Sequence, residues 1–168
     1  MTREQPFQLA QFNIALPREP LERPLLAEFV AALQPVNAAA DASPGFVWRL
    51  QTAEGDATGV RAFDDERLIV NMSVWESLEA LRDFVYSQRD HLDVLRRRRE
   101  WFERLGESAV VLWWVPAGHR PSVAEAEQRL AALRADGPTP RAFTFRHSFA
   151  PDAAGEPIVD PRERCPAG

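Results

Sequence analysis

The sequence predicts an α+β protein built on a ferredoxin-like antiparallel sheet, with its helices on one face. Three observations carry this. The apolar periodicities run strand, helix, strand, strand, helix pair, strand, helix, strand, and the core of that order is β-α-β-β-α-β. The second and third strands are joined by a polar loop without a helix, which makes them antiparallel neighbours. The chain has 168 residues, the size of one core of roughly 100–200 residues.

Each element has its own justification. Residues 7–14 alternate as a first strand, with Leu9, Gln11 and Asn13 on one side and Ala10, Phe12 and Ile14 on the other. Pro17, Pro20 and Pro24 delay the first helix, which spans 24–41 with Leu25, Leu26, Phe29, Leu33, Val36 and Ala40 along one side. Ser43-Pro44-Gly45 ends it. Residues 46–51 form the second strand, with Phe46, Trp48 and Leu50 alternating against Val47, Arg49 and Gln51. After a polar loop at 53–65, residues 68–75 form a central strand. Val70, Met72 and Val74 mark its apolar face, and Asn71, Ser73 and Trp75 the other.

Helices are predicted over 77–88 and 90–105, the second stopped by Gly106. The almost continuous apolar run 109–115 is a strand covered on both faces. Ser122 and Glu125 have capping-box spacing at the start of a helix that Gly137-Pro138 ends. Residues 142–146 form a short last strand. One domain, residues 1–149, is therefore expected, followed by a Pro-rich, poorly ordered tail at 150–168.

On this reading the helices cover Phe46, Trp48, Val70, Met72 and Val74. The opposite face carries Arg49, Asn71, Ser73 and Trp75, with Gln11 and Asn13, and is left for a second subunit or a wet cavity. A one-residue shift of register would exchange the two faces. The 90–105 helix offers a second surface. Leu95, Phe102 and Leu105 define its inward side, and His91 and Arg98 lie on that same side two turns apart. The rest of the run Arg96–Arg99 reads as a solvated back with paired charges. A buried guanidinium needs an anion or carbonyls, and a histidine there serves as acid/base, ligand or hydrogen-bonded core residue.

Composition excludes several classes. A net charge of −5 gives no field for nucleic acid, and every basic side chain apart from histidine is arginine. No run approaches the ~20 apolar residues of a membrane span. One cysteine, Cys165, makes no internal disulfide, and the N-terminus lacks a signal peptide's apolar core, so the expected setting is the cytoplasm. There is no phosphate-binding glycine loop, no nucleophile elbow and no metal-ligand cluster.

Several segments together resemble an uncharacterised bacterial domain-of-unknown-function family of the dimeric α/β-barrel group. They are Gly45-Phe46-Val47-Trp48-Arg49-Leu50, Asn71-Met72-Ser73-Val74-Trp75-Glu76-Ser77, Phe84-Val85-Tyr86, His91, Arg97-Arg98-Arg99-Glu100-Trp101-Phe102 and Leu112-Trp113-Trp114-Val115-Pro116-Ala117-Gly118-His119. The resemblance covers residues 7–149. It implies a homodimer in which the open sheet faces meet. It also implies a distant similarity to antibiotic-biosynthesis-type monooxygenases, which oxidise aromatic or polyketide-like molecules without a cofactor, and a more remote one to haem proteins. Fold similarity alone does not establish activity.

The resulting expectation is a cofactor-independent, monooxygenase-like small-molecule enzyme, with a non-catalytic ligand-binding or structural homodimer as the alternative and a haem protein as a weaker one. His91 and Arg98 are the expected catalytic pair. Trp48, Met72, Trp101, Asn71, Arg49 and Trp75 are the expected ligand contacts. No metal is expected, and the partners are a second copy of the chain and an aromatic or other apolar small molecule.

Overall fold

A computed structural model describes residues 6–52, 55–151 and 158–159. Cys165, the extreme N-terminus and most of the predicted tail lie outside the described residues. Strand β1 (Phe7–Ala15) leads through a short 3-10 turn at Pro24–Leu26 into helix α1 (Ala27–Asp41). Strands β2 (Phe46–Arg49) and β3 (Ile69–Trp75) follow, then helices α2 (Leu78–Ser87) and α3 (Arg89–Trp101). Strand β4 (Val110–Pro116), helix α4 (Val123–Asp136) and short strands β5 (His147–Ser148) and β6 (Ile158–Val159) complete the order. The main sheet runs β2-β3-β1-β4, and every neighbouring pair is antiparallel. This is the α+β, ferredoxin-like arrangement that the spacing of elements predicts.

Helices, however, lie on both faces of the sheet, not on one. Helices α1 and α2 cover the face of Leu9, Trp75, Leu112 and Trp114, and α1 with α3 covers the Ile69 end. The face of Ala10, Phe12, Val70, Met72, Val74 and Trp113 packs instead on α4 and on Ala57, Ala62 and Leu68. Phe12, Met72 and Trp113 are fully buried there within a single chain. The expectation of a bare face holding Trp75 is therefore corrected. Trp75 lies under the helices, and the other face is covered by the chain's own C-terminal helix and β2–β3 connection. The physical reason is that both faces carry enough apolar area to require a cover, and alternation alone cannot say which helix covers which.

Strand β2 departs from strict alternation. A register shift between Phe46 and Trp48 against β3 sends Phe46 to the α1–α2 side and Trp48 to the α4 side. The expected common face of Phe46, Trp48 and Leu50 is therefore split.

Helix starts follow the sequence. The Ser77 side chain accepts from the Ala80 N–H at 3.0 Å, that of Gln88 from the His91 N–H at 2.8 Å, and that of Ser122 from the Glu125 N–H at 3.1 Å. Only half of the predicted capping box forms, because the Glu125 carboxylate is engaged elsewhere. Helix α3 ends at Trp101, four residues before the expected stop. Phe102 is extended and bridges to Pro17, while the Arg18 N–H donates to the Trp101 carbonyl at 2.8 Å and the Glu103 N–H to the Leu16 carbonyl at 2.9 Å. The helix's inward side is therefore Val94 and Trp101 against α1. In place of the predicted strand at 142–146, Phe143 bridges to Leu112 through two hydrogen bonds of 2.8 Å. Beyond it His147 and Ser148 pair with β6, inside the stretch expected to be tail.

Candidate functional site

The polar residues of the helix-covered face form a connected chain. The Trp75 indole Nε1–H donates to Ser73 Oγ at 2.9 Å, the Ser73 hydroxyl to Gln11 Oε1 at 3.0 Å, and the Gln11 amide to Asn13 Oδ1 at 2.6 Å. Trp75, Ser73 and Gln11 are buried. Antiparallel pairing puts Gln11 opposite Ser73 and Asn13 opposite Asn71, so the network is a direct product of the β1–β3 register. Polar groups this deep are tolerated because each finds a partner.

Aromatic rings wall the same layer. Phe46 meets Trp75 edge-on at 5.4 Å, Phe84 stacks on Trp75 at 5.3 Å, and His91 lies 5.0 Å from Phe84. Asn71 breaks the seal. It sits in β3 between buried Val70 and buried Met72, yet it is exposed. Strand β2 has already ended at Arg49, opposite Ser73, and Asn71 is left uncovered on this face. Asn13, half-buried, stands beside it. Among the described residues, neither the Asn71 amide nor the Asn13 Nδ2 group has a hydrogen-bond partner.

Of the eight residues expected from sequence, the structure brings Asn71, Arg49 and Trp75 to this one face. Arg49 is committed to protein: its guanidinium donates to Asp41 Oδ1 at 2.8 Å and to the Gly55 carbonyl at 2.6 Å. Met72 and Trp48 are on the other side of the sheet. Trp101 belongs to a third cluster with Leu26 and Phe29, between α1 and α3. The expected catalytic pair, His91 and Arg98 on α3, is therefore set apart from the expected contacts Trp48 and Met72 on the α4 side of the sheet.

His91 packs between α2 and α3 rather than on the sheet. Its Nδ1 lies 3.1 Å from the Val85 carbonyl. A carbonyl only accepts, so Nδ1 carries the proton. Burial pulls the ring below the ordinary histidine value, and the Val85 contact opposes this. The ring is thus neutral at pH 7. Arg98 donates to the Leu95 carbonyl of its own helix at 2.9 Å and has no ion pair among the described residues. Its neighbour Arg97 is the one that reaches across, pairing with Glu28 on α1 and, at 2.8 Å, with Glu100, its guanidinium 4.8 Å from the Trp101 ring centre. A shallow groove of about 300 Å³ beside it is lined by Glu28, Pro35, Asp90, Asp93 and Trp101.

Sequence reasoning placed Gln11, Asn13 and Ser73 on the right strand faces but not in a site. Their signal was polar residues recurring at every second position of otherwise apolar strands. A second polar cluster went unnoticed. Glu125 accepts from the Trp113 indole at 3.1 Å and meets His119 Nε2 at 2.7 Å. Among the described residues, no group of three or more His, Cys, Asp or Glu could hold a metal ion, and no helix is long and apolar enough to cross a membrane.

The network offers neutral donors and acceptors beside aromatic walls, with no carboxylate or imidazole among its members. It supplies no strong base of its own.

No curated protein matches the chain. Among solved structures it is similar to SnoaB, a cofactor-independent oxygenase from Streptomyces nogalater, at 18% identity and a TM-score of 0.43 over 67% of this chain and 95% of that one. It is also similar to a putative antibiotic biosynthesis monooxygenase from Chloroflexus aurantiacus, at 15% identity and a TM-score of 0.42 over 69% and 98%. A third, protein SO0527 from Shewanella oneidensis, has 10% identity and a TM-score of 0.46 over 67% and 93%. The family model for the domain of unknown function DUF3291 matches residues 8–158, and the chain belongs to that family.

Proposed function

We propose that this protein binds an aromatic small molecule at the opening over Asn71 and oxidises it with dioxygen, without a resident cofactor. What supports this reading is the exposed Asn71 amide beside a buried aromatic and hydrogen-bonded wall. Neutral amide donors stabilise an oxygen anion where charge develops. With no strong base in the network, the substrate must be one that ionises readily, such as an anthrone, whose enol form is a phenol. Oxidation of its methylene to a carbonyl passes four electrons from carbon to dioxygen. One oxygen atom enters the product and the other leaves as water with the two methylene hydrogens.

Trp75, Phe46 and Phe84 form the wall, and Asn71 holds the substrate oxygen. In this reading Arg49, His91, Arg98, Trp48, Met72 and Trp101 support the fold, not the chemistry. The test is oxygen uptake with 1,8-dihydroxyanthrone. Uptake above the uncatalysed rate is expected. Asn71→Ala should lower it by about tenfold or more, and His91→Gln should leave it within about twofold. Loss in His91→Gln with retention in Asn71→Ala would move the site to α3. Saturable binding without uptake would favour the non-catalytic ligand-binding reading. The purified protein is expected to show no flavin or haem absorbance.

A further inference from the structure

The hydrogen-bond chain beneath the opening has a direction, and the direction has a chemical consequence. An indole N–H is a donor with no acceptor capacity. Trp75 therefore makes Ser73 Oγ accept, at 2.9 Å. The Ser73 hydroxyl proton is directed to Gln11, whose carbonyl oxygen faces it at 3.0 Å. A hydroxyl oxygen can accept twice, but Ser73 is buried and among the described residues its proton has no side-chain acceptor other than Gln11, so the Gln11 oxygen is toward Ser73 and its nitrogen donates to Asn13 Oδ1 at 2.6 Å. Asn13 is fixed in turn. Its oxygen is turned inward and its NH₂ group is left for the opening, next to Asn71 across the β1–β3 pair. Ordinarily an exposed asparagine turns either end outward.

We infer that Gln11 and Ser73 are positioning residues that transmit the donor-only character of the buried Trp75 indole to Asn13, so that the opening presents N–H groups and selects a ligand oxygen acting as acceptor, a carbonyl or an oxyanion. This rests on the proposed binding site at Asn71. Gln11 and Ser73 touch no ligand; they set which end of Asn13 does.

Gln11→Glu inverts the relay with almost no change of shape. At pH 8 the introduced carboxylate accepts on both oxygens, so Asn13 must turn its NH₂ inward and its carbonyl outward. Ser73→Ala cuts the relay one step earlier, and Ser73→Thr keeps the hydroxyl and restores it. The measurements are the dissociation constant for 1-hydroxyanthraquinone, an inert carbonyl probe, and the side-chain amide resonances of Asn13 in ¹H–¹⁵N spectra, on variants whose circular dichroism matches the parent. The expected result is binding weakened by about tenfold in Gln11→Glu and Ser73→Ala, the loss of one hydrogen bond. Binding should be kept in Ser73→Thr, with Asn13 resonances shifted only in the first two. Unchanged binding and unchanged Asn13 resonances in Gln11→Glu overturn the relay while leaving the binding site intact. If the parent protein fails to bind the probe, the proposed site falls. The relay is then decided by the resonances alone: displaced Asn13 signals support it and static ones overturn it. Should Gln11→Glu not fold, the Ser73 pair carries the same comparison.

Discussion

At the scale of single residues, hydrogen-bonding capacity and burial assign roles more sharply than residue type. Arg98, the conspicuous cation on the predicted inward side of α3, donates to a carbonyl of its own helix, whereas the Asn71 amide has no hydrogen-bond partner among the described residues. His91 has the signature of a structural histidine: half-buried, packed on Phe84 and engaged with the Val85 carbonyl. Its pKa lies below the ordinary value chiefly because of burial. The folded state thus binds fewer protons than the unfolded state as pH falls through about 6.5, the unfolded value, and the sign of linkage makes the fold lose stability there. Between pH 7.5 and 5.5, unfolding by urea should become easier for the parent, and this increment should be missing in His91→Gln. Equal pH slopes for the two proteins would remove His91 as the cause.

At the scale of elements, the junctions decide what the layer between sheet and helices holds. The turn from α1 into β2 passes so close to α2 that a Cβ on Gly45 would stand 2.5 Å from the Ala80 Cβ, and the Gly45 φ of +81° is one that other residues adopt only under strain. Gly45 also accepts the Glu76 N–H at 2.7 Å, tying β2 to the start of α2. Gly45→Ala should therefore cost about 2 kcal/mol or more, since strain of this kind alone is on the order of 1 kcal/mol and the clash adds to it. Denaturant unfolding checks this, and a loss under 0.5 kcal/mol, roughly the size of a neutral surface change, would mean that α2 shifts freely. The β2 register shift has a comparable reach. It places Phe46 against Trp75 and sends Trp48 away, which gives the proposed site its edge-on aromatic wall.

At the scale of the molecule, a single chain covers both faces of its sheet. Leu130, Ala126 and Leu133 of α4 close over Phe12, Met72 and Trp113, in the place where a face-to-face barrel would put a second subunit. Two sheets meet through that face only if α4 and the segment 57–68 leave it, which exposes a large apolar area at roughly 25 cal/mol per Å². The homodimer is proposed to form on surfaces outside this face. Sedimentation velocity at micromolar concentration should give a dimer; a monomer would retire the homodimer and leave the α4-covered sheet as a complete core.

The sequence by itself determined the order of the elements from the first strand to the last helix, the α+β ferredoxin-like topology and the helix starts at Ser77 and Ser122. These depend on local spacing, caps and alternation, which the chain carries residue by residue. It also determined that Gln11 and Asn13 share one strand side and that Asn71, Ser73 and Trp75 share another. Only the tertiary structure decided that these sides lie under α1–α3, that Trp48 and Met72 are on the far side from Trp75, and that His91 and Arg98 are held by backbone carbonyls. The reason is that alternation states which residues lie together but not what covers them. That depends on which helices pack on which face, on one shifted register in β2, and on an α3 that ends early because its next residues pair with the end of β1.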